Sequence, residues 1–503
     1  MEMLRIENGE LMRGADRFAL RGFGLGGWLL PEGYMWLFYT KCDRPRRIEA
    51  LIEELCGAEY AAGFWRRYYD SYITRRDIEY ISAHGFNSVR LPLNARHLGE
   101  PDYLRHVDEC IGWCKSCGVY VVLDMHAAPG GQTGQNIDDS ERDLPELLEL
   151  FMDRSHQDEP VRLWRDLAAR YAGESAVAGY DLLNEQLVKK DAQYNAQLIP
   201  LYLRLTEAIR EVDPGHIVIW EGAHWATDFS VFDGLRPEQL PENLMLQFHK
   251  YWSGADRESL DAFVDTARRL NVPLYCGESG ENNLEWYTTL FPMLDSHRIS
   301  WSFWSYKKMR TENSVSVFPE PRRWGELIEY LDGGRRPDDA RGIFDDFLEC
   351  LTRAVFHGEV ICALNRTAPV LIPCEAFDSV TSRHERTHGA VFRMRERAQL
   401  IYADGHTGEP DCRRYGGEPR PESERMLLRL RPGESAIYAL NGTGAVSVKV
   451  NCRGDGVLTL NGAELDAPAV GEHKIEAAPG GTITIACVEG DIYLENLEVT
   501  QCG

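Results

Sequence analysis

Two glutamates, Glu185 and Glu278, each close a short apolar run of the chain. Residues 180–185 end in Asn-Glu, and residues 273–278 end in Gly-Glu. Nearly continuous apolar runs of this length are typical of buried parallel strands. A carboxylate at the C-terminal end of a barrel strand points into the mouth where such barrels do chemistry. Two carboxylates in one mouth could cleave a glycosidic bond, one as the acid and the other as nucleophile or base.

The elements that must position this pair alternate between strand-like and helix-like stretches as far as about residue 345. Eight strands with intervening helices are the pattern of a closed (β/α)8 barrel, an α/β fold. The predicted strands are residues 18–28, 88–91, 119–126, 177–184, 217–221, 244–249, 273–278 and 299–304. Predicted helices include residues 102–117, 161–171, 195–212 and 257–270.

The sequence changes character after about residue 360, where short alternating segments are separated by Gly, Asn and Pro turns. This pattern is typical of an all-β sandwich. All twelve tryptophans lie before residue 325, which supports a change of domain. We therefore predict a (β/α)8 TIM-barrel catalytic domain over residues 1–358 and a smaller β-sandwich domain over residues 369–503.

Composition and charge exclude several functions. The 503 residues carry a net charge of −24, which makes the chain a poor partner for phosphate backbones, so we expect no nucleic acid binding. No run is long enough to span a membrane, and residues 1–7 lack the basic and apolar regions of a secretory signal. Thirteen cysteines without a framework pattern then favour reduced thiols, and we expect a cytoplasmic protein.

Polar or aromatic residues recur at the ends of the predicted barrel strands or just beyond them. Besides Glu185 and Glu278, they are Arg90, His126, Asn184, His249, Tyr251 and Trp304. A single buried Arg or His has a structural explanation, but so many on the catalytic face of one barrel favour an active site. Glu32 and Trp36 follow the first strand on the same face, where either a sugar subsite or simple packing explains them.

The ordered combination of these short motifs resembles glycoside hydrolase family 5. The motifs are residues 85–92 (GFNSVRLP), 123–126 (LDMH), 184–185 (NE), 249–251 (HKY), 277–280 (GESG) and 301–304 (WSFW). The stretch 126–130 (HAAPG) is similar to the exo-β-1,3-glucanase branch of that family. Gln186 stands where many members of the family have proline.

The resemblance implies a retaining mechanism with two glutamates. Glu185 would be the general acid/base and Glu278 the nucleophile. A proton on Glu185 near neutral pH would be favoured by partial burial and by the neighbouring anion. Arg90 and Tyr251 would keep Glu278 ionised.

The resemblance also implies how the sugar is held. Asn184 would bond the sugar 2-hydroxyl, and Trp304 would offer an apolar face to the ring. His126 and His249 would be hydrogen-bonding residues of the pocket. The partner would be a β-linked oligosaccharide or glycoside, with no cofactor and no metal, and the oligomeric state stays open.

The expected function is exo-acting hydrolysis of β-linked glucans or short β-glucosides. The loop after the first strand and the Gly-rich residues 130–136 could close one end of the cleft. An endo-β-glucanase (cellulase) or a β-mannanase of the same family is the alternative, and a non-catalytic glycan-binding protein is the alternative from another class. Residues 372–378 and 490–499 resemble galactose-binding-like sandwiches, the fold of several carbohydrate-binding modules. The absence of Trp from this region favours an accessory, structural role.

Two further motifs compete with this interpretation. Glu221 closes the fifth predicted strand in the same style as the chosen pair, and we expect it not to be essential. Cys110, Cys114 and Cys117 have the spacing that holds an iron–sulfur cluster in radical barrel enzymes. Their place on a predicted helix before the third strand, rather than on a loop after the first, favours packing on one helical face.

Overall fold

The chain is described by a computed structural model at residues 1–39, 41–134, 138–139, 148–383, 389–442, 444–466, 472–477 and 481–502. Its contacts group the chain into two units. The first unit comprises Met1–Lys250, Ala262–Ser279 and Ile299–Phe356. The second unit comprises Tyr251–Asp261, Gly280–Arg298 and His357–Gly503. Strands and helices are numbered below along the whole chain.

The first unit begins with a small antiparallel sheet of β1 (Leu4–Glu7), β2 (Glu10–Arg13) and β3 (Asp16–Arg17). Leu4 and Leu11 of this sheet pack with apolar residues inside the barrel that follows, such as Tyr120 and Ile217. Both of these begin a barrel strand, so the sheet lies at the N-terminal end of the barrel, away from the catalytic end.

A closed barrel of eight parallel strands forms the centre of this unit and confirms the predicted fold class. Its strands are β4 (Arg21–Gly24), β5 (Ser88–Asn94), β6 (Tyr120–Ala127), β7 (Val177–Asp181), β8 (Ile217–Glu221), β9 (Leu244–Lys250), β10 (Leu274–Gly280) and β11 (Ser300–Trp304). They pair in chain order, and β11 closes the ring against β4. Every residue of β5, β6, β9 and β10 is buried, which explains their continuous apolar runs.

The helices of this part of the chain are α1 (Pro45–Cys56), α2 (Ala58–Tyr72), α3 (Arg75–Ala83), α4 (Pro101–Cys117), α5 (Glu149–Met152), α6 (Arg154–Tyr171), α7 (Asn195–Arg210), the single turn α8 (Ala223–Ala226), α9 (Asp261–Leu270), α10 (Leu284–Ser296), α11 (Trp324–Leu331) and α12 (Ala340–Thr352). Most of the helices lie between these strands along the chain, α11 and α12 follow the last strand, and α10 groups with the second unit. A capping box starts α3, since the Asp77 carboxylate accepts from the Thr74 backbone N–H at 2.8 Å. Three short strands complete the unit: β12 (Lys307–Met309), β13 (Ser316–Phe318) and β14 (Val355–Phe356).

Some boundaries differ from the sequence-based prediction. The second barrel strand was predicted to end at residue 91, before a proline that cannot donate to a strand ladder. The strand β5 instead continues through Pro92, which lies opposite Asp124, to Asn94. Arg90 is therefore an interior residue of its strand. The helix predicted at 161–171 begins earlier, at Arg154.

The second unit contains α10, α13 (Gly358–Asn365) and two antiparallel sheets, which confirms the predicted β-rich C-terminal region. The strands are β15 (Val370–Pro373), β16 (Ser379–Thr381), β17 (Gln399–Tyr402), β18 (Met426–Leu430), β19 (Ser435–Ala439), β20 (Gly444–Gly454), β21 (Val457–Leu460), β22 (Ala463–Asp466), β23 (Glu472–Ala477), β24 (Thr482–Glu489) and β25 (Ile492–Gln501). One sheet has the order β17-β18-β25-β20-β23 with β15 beside β25, and the other has β16-β19-β24-β21-β22. Apolar residues from both sheets share one core.

The segment left between the two predicted domains, residues 359–368, is largely helical, since α13 occupies most of it. Among the helices in the described ranges, none is both long and apolar enough to cross a membrane. All thirteen cysteines are free thiols, and Cys110, Cys114 and Cys117 lie on α4 rather than on a loop.

A buried arginine ties together the parts of the second unit. Arg366 follows α13 and is 2% exposed. Its guanidinium donates to the carbonyl oxygens of Thr288, on α10, and Ala376, both at 2.9 Å, and to the Asp378 carboxylate at 2.6 Å. Removal of one partner from a buried ion pair is strongly destabilising, because the remaining groups lose their bonds without regaining water.

We therefore expect Arg366→Met to lower the free energy of unfolding by about 3–5 kcal/mol. The matched control is Arg335→Met, since Arg335 makes an exposed ion pair with Asp338 and should contribute little. Urea denaturation followed by intrinsic fluorescence measures both variants. Equal small losses in the two variants would contradict the role assigned to Arg366.

Candidate active site

The polar residues on the barrel strands converge on the guanidinium of Arg90, which is 0% exposed. Its Nε donates to Asp181 at 2.8 Å, one Nη to Glu278 at 2.5 Å and the other to Asn184 at 2.7 Å. Asp124 and Glu221 lie at 3.1 Å and 3.2 Å from the same group. Arginine has five N–H donors and stays charged at all accessible pH values, so one side chain can orient this many acceptors.

Of the described carboxylates around Arg90, only the predicted pair is partly exposed to solvent. Glu185 and Glu278 are 6% and 4% exposed, whereas Asp124, Asp181 and Glu221 are 0% exposed. An oxygen of Glu185, an oxygen of Glu278 and a ring nitrogen of His249 all lie within 4.8 Å of one another. The barrel has thus brought together two carboxylates that are 93 residues apart in the chain (278 − 185).

His249 lies between the two members of the pair. Its Nδ1 is 2.7 Å from Glu185 Oε1 and 3.6 Å from Glu278 Oε2. Burial disfavours the charged ring, but the carboxylates of Glu278 and Glu221 outweigh it and raise the pKa of His249 well above its ordinary value. Burial also raises the pKa of Glu278, while His249 and Arg90 oppose that shift.

A β-bulge aims Glu278 into the barrel. Tyr275 of β10 faces the barrel interior, so strict alternation would turn Glu278 outward. The register between β10 and β9 shifts between Cys276 and Glu278, which places Glu278 directly opposite His249. The extra residue is Gly277, and a Cβ there would lie 2.2 Å from the Gln247 side chain, so no other residue fits without displacing it.

His126 sits on the other side of the site, paired with Asp124. Its Nδ1 is 2.7 Å from Asp124 Oδ2, and its ring stacks on Trp304 at 5.3 Å with an interplanar angle of 7°. Trp304 donates its indole N–H to the Tyr34 hydroxyl at 2.9 Å. Burial lowers the pKa of His126 to about 4 and raises the pKa of Asp124 to about 8. Both shifts favour the neutral forms of the pair, a protonated carboxyl beside a neutral imidazole.

The remaining predicted residues lie in different surroundings. Tyr251 follows β9 directly but groups with the second unit, where its ring packs beside Trp252. Glu32 is 2% exposed and precedes the turn that contains Tyr34. Trp36 is 1% exposed and stacks on Phe347 at 4.5 Å, so packing accounts for its position.

Four polar residues that hold the site together were not predicted from the sequence. They are Asp124, Gln132, Asp181 and Gln247. Gln132 donates to the carbonyl oxygens of His126 and Asn184 at 2.6 Å and 3.1 Å, so it fixes the loop after β6 against the site. A signal for three of the four was available, because each is a polar residue within an apolar strand, two of them two positions before a predicted histidine.

The profile of the cellulase family (glycosyl hydrolase family 5) matches residues 54–310, just over half of the chain. The chain belongs to glycoside hydrolase family 5. The match begins on α1 and runs past β11, and so includes Arg90, His126, Asn184, Glu185, His249, Glu278 and Trp304. This family 5 protein is a retaining β-glycosidase.

Curated relatives of this family 5 enzyme include three differently named hydrolases. A beta-xylosidase of Phanerodontia chrysosporium is 29% identical over 63% of this chain and 73% of its own length. Endoglucanase C of Acetivibrio thermocellus is 26% identical over 52% of this chain and 90% of its own length. A probable glucan 1,3-beta-glucosidase A of Aspergillus fumigatus is 28% identical over 46% of this chain and 55% of its own length.

Two other features of the enzyme have the character of a binding site. Glu185, His249 and Glu278 have the residue types and spacing of a metal-binding trio. A groove of about 390 Å³ lies between α2 and α4, lined by Trp65, Tyr69 and Tyr103 among others. Its lining holds none of the residues that gather around Arg90, so the chemistry lies elsewhere.

The raised pKa of Asp124 predicts a pH dependence of stability. The folded state holds this proton up to about pH 8, whereas the unfolded chain releases it near pH 4. Stability from the bound proton is complete below the unfolded pKa and is lost as pH rises through the folded pKa, at about 1.4 kcal/mol per pH unit. Asp124→Asn removes this dependence while it keeps a side chain that can donate to His126.

We therefore expect the free energy of unfolding to fall more steeply with pH in the wild type than in Asp124→Asn between pH 5 and pH 8. Urea titrations at four pH values measure both slopes. Parallel slopes would show that Asp124 is ionised in the folded enzyme.

Proposed function

We propose that Glu185 is the general acid/base and Glu278 the nucleophile of this retaining β-glycosidase. The observation that supports the assignment is the close approach of the two carboxylates, with one oxygen of each within 4.8 Å. Retention requires carboxyl groups only about 5–5.5 Å apart, so that the nucleophile reaches the anomeric carbon while the acid reaches the leaving oxygen. Inversion needs a wider gap of about 6.5–9.5 Å, because a water must fit between them.

The surroundings of the pair suit these roles. Glu278 accepts from Arg90 at 2.5 Å, and this cation counters the burial that would otherwise favour its protonated form. Glu185 faces His249 instead and has no contact with Arg90 among the described residues. Once Glu278 is consumed in the glycosyl-enzyme, its negative charge is lost, and Glu185 can ionise and activate water.

We further propose that the enzyme removes single terminal sugars from short β-glucans or β-glucosides. Two loops beside the site support this mode. The loop after β4 contacts Trp304 through Tyr34, and the loop after β6 is tied to His126 and Asn184 through Gln132. Loops fixed this close to the reacting centre can close one end of a cleft. Residues 135–136 of the second loop lie outside the described residues.

The relatives leave a second mode to be tested. The matched glucan 1,3-beta-glucosidase and beta-xylosidase carry the names of enzymes that act at chain ends, whereas endoglucanase C carries the name of one that cuts internally. Endoglucanase C is matched over nine-tenths of its length, so internal cleavage is the second candidate.

The first functional prediction concerns the pair itself. Glu278→Ala should lower kcat by more than about 10⁴-fold on every substrate, because no group replaces the nucleophile. Glu185→Ala should lose activity on natural glycosides by about 10²–10⁴-fold but less on aryl glycosides with good leaving groups, which need no proton. Azide should restore turnover of such aryl substrates by Glu185→Ala, because it attacks the accumulated glycosyl-enzyme, and the product should be a β-glycosyl azide.

The control for this pair is Glu238→Ala, since Glu238 is exposed and lies outside the cluster. It should keep wild-type rates. Full activity of Glu278→Ala or Glu185→Ala on natural glycosides would refute the assignment, and an α-glycosyl azide would place the roles the other way round.

The second functional prediction concerns the products. With β-1,3- and β-1,4-linked glucan oligomers, we expect glucose to accumulate from the first time point, with retained configuration by NMR. The reason is that a cleft closed at one end admits only the terminal sugar. A ladder of intermediate lengths at early times would instead identify an endoglucanase. Activity on mannans alone would show that the substrate is a mannan and not a glucan.

A further inference from the structure

Glu221 closes β8 beside the two proposed catalytic glutamates and was not expected from the sequence to be essential. It is 0% exposed, so it cannot touch a substrate. Its carboxylate is nevertheless surrounded by donors from three other parts of the barrel. They are the Glu185 backbone N–H, Arg90 on β5, and Gln247 and His249 on β9. The Glu185 N–H, Arg90 and Gln247 groups can only donate to it, and they favour the ionised form against the burial that raises the pKa of Glu221.

One oxygen of Glu221 holds the backbone of the proposed acid/base. Its Oε2 accepts the N–H of Glu185 at 2.7 Å. Glu185 has a φ of 44°, in the left-handed region that residues other than glycine rarely adopt. Such a conformation persists only where its surroundings fix it. The hydrogen bond to Glu221 fixes the Glu185 backbone, and so directs the Glu185 carboxyl group towards the leaving oxygen of the substrate.

The other oxygen of Glu221 faces the ring that touches the acid/base. Its Oε1 lies 3.4 Å from His249 Nε2, while His249 Nδ1 lies 2.7 Å from Glu185 Oε1. One imidazole therefore bridges two carboxylates. The Gln247 amide nitrogen also lies 3.2 Å from Nε2, but its two N–H groups donate to Asp181 and Glu221. An ionised Glu221 therefore favours a proton on Nε2, because its carboxylate can only accept. Nδ1 of the neutral ring is then free to accept from protonated Glu185, and the charged ring donates from Nδ1 to ionised Glu185.

We propose that Glu221 is a positioning residue that fixes the Glu185 backbone and the Nε2–H tautomer of His249, and so sets the pH range of acid/base catalysis. This inference rests on the proposed role of Glu185. Glu221 itself forms no bond to the substrate, and it neither gives nor takes a proton during the reaction. The charged groups facing it are Arg90 on β5, Asp181 on β7 and His249 on β9, with Asp124 and Glu278 next to them in the cluster.

The test is Glu221→Gln, which keeps the shape of the side chain and removes the charge. The negative charge of Glu221 favours protons on its neighbours, and burial raises its own pKa. We expect the basic limb of the kcat/KM profile to move to lower pH. Activity on unactivated β-glycosides should fall by about 10²-fold, the lower end of what general acid catalysis contributes. Aryl glycosides with good leaving groups should be affected far less.

The matched control is Asp181→Asn, because it removes the same charge from the same cluster. Asp181 contacts Arg90 and Gln247 but neither Glu185 nor His249. Its loss should act through Arg90 on the nucleophile, so both classes of substrate should be affected equally. A Glu221→Gln variant with equal losses on both classes and an unshifted pH profile would overturn the proposal.

The wild-type enzyme provides a measurement that does not depend on a variant folding. Two-bond ¹⁵N–¹H correlations of ¹⁵N-histidine-labelled protein report which ring nitrogen carries the proton, and His249→Gln assigns the signal. We expect His249 to be protonated on Nε2, whereas a neutral ring protonated on Nδ1 alone would overturn the proposal. If Glu185→Ala kept full activity, the proposed function would fail, but if only the Glu221 results failed, this inference alone would.

Discussion

The site depends on one buried cation. Arg90 touches Asp124, Asp181, Asn184, Glu221 and Glu278, which lie on or just after four different barrel strands. To bury five polar side chains, four of them acids, would be prohibitive without a fixed positive charge at the centre. The planar guanidinium satisfies several carboxylates at once, which lysine could not do. The strand ends can therefore bring carboxylates together without mutual repulsion opening the barrel.

A second layer of contacts separates the roles of chemically identical groups. Five carboxyl groups share the cluster, but three are wholly buried and two are partly exposed. Of the two exposed groups, Glu278 lies against Arg90 and Glu185 lies against His249. Carboxyl groups take different roles when their surroundings push their proton affinities apart. The role of each glutamate is thus determined by the neighbouring side chains as well as by its own chemistry.

Much of this arrangement could be predicted from the sequence. The eight strands, the carboxylate pair and most of the polar residues around it follow from apolar runs that end in a polar residue. Arg90 was found, but its position inside β5 was not, because a proline in a strand ordinarily marks its end. Asp124 and Gln247 were not predicted, because each is a polar residue inside an apolar run and not at its end. A period-two spacing places each on the interior face with the histidine two residues further on.

Other features could not be predicted, because they depend on register across a closed barrel. The bulge at Gly277 turns Glu278 inward, and a glycine before a glutamate in the sequence does not by itself predict a bulge. The contact between Arg90 and Asp181 joins residues 91 positions apart, and that between Glu221 and Glu185 joins residues on neighbouring elements whose alignment only the folded barrel sets. The helix α13 was not predicted, because a short apolar segment beside a domain boundary carries little pattern of its own.

A cluster built this way is a compromise between stability and function. Replacing a buried ion cluster by apolar residues is often neutral or stabilising, so the charges around Arg90 are not explained by stability. Burial pushes the pKa of Asp124 to about 8 and that of His126 to about 4, both unfavourable for the charged forms. What the cluster provides is a set of dipoles and charges already in place before the substrate arrives. Such preorganisation needs no rearrangement as positive charge develops on the sugar ring, and it is commonly the largest contribution to catalysis. The barrel can hold this cluster because its eight strands are bonded on both sides, so that the backbone does not yield to the forces between the charges.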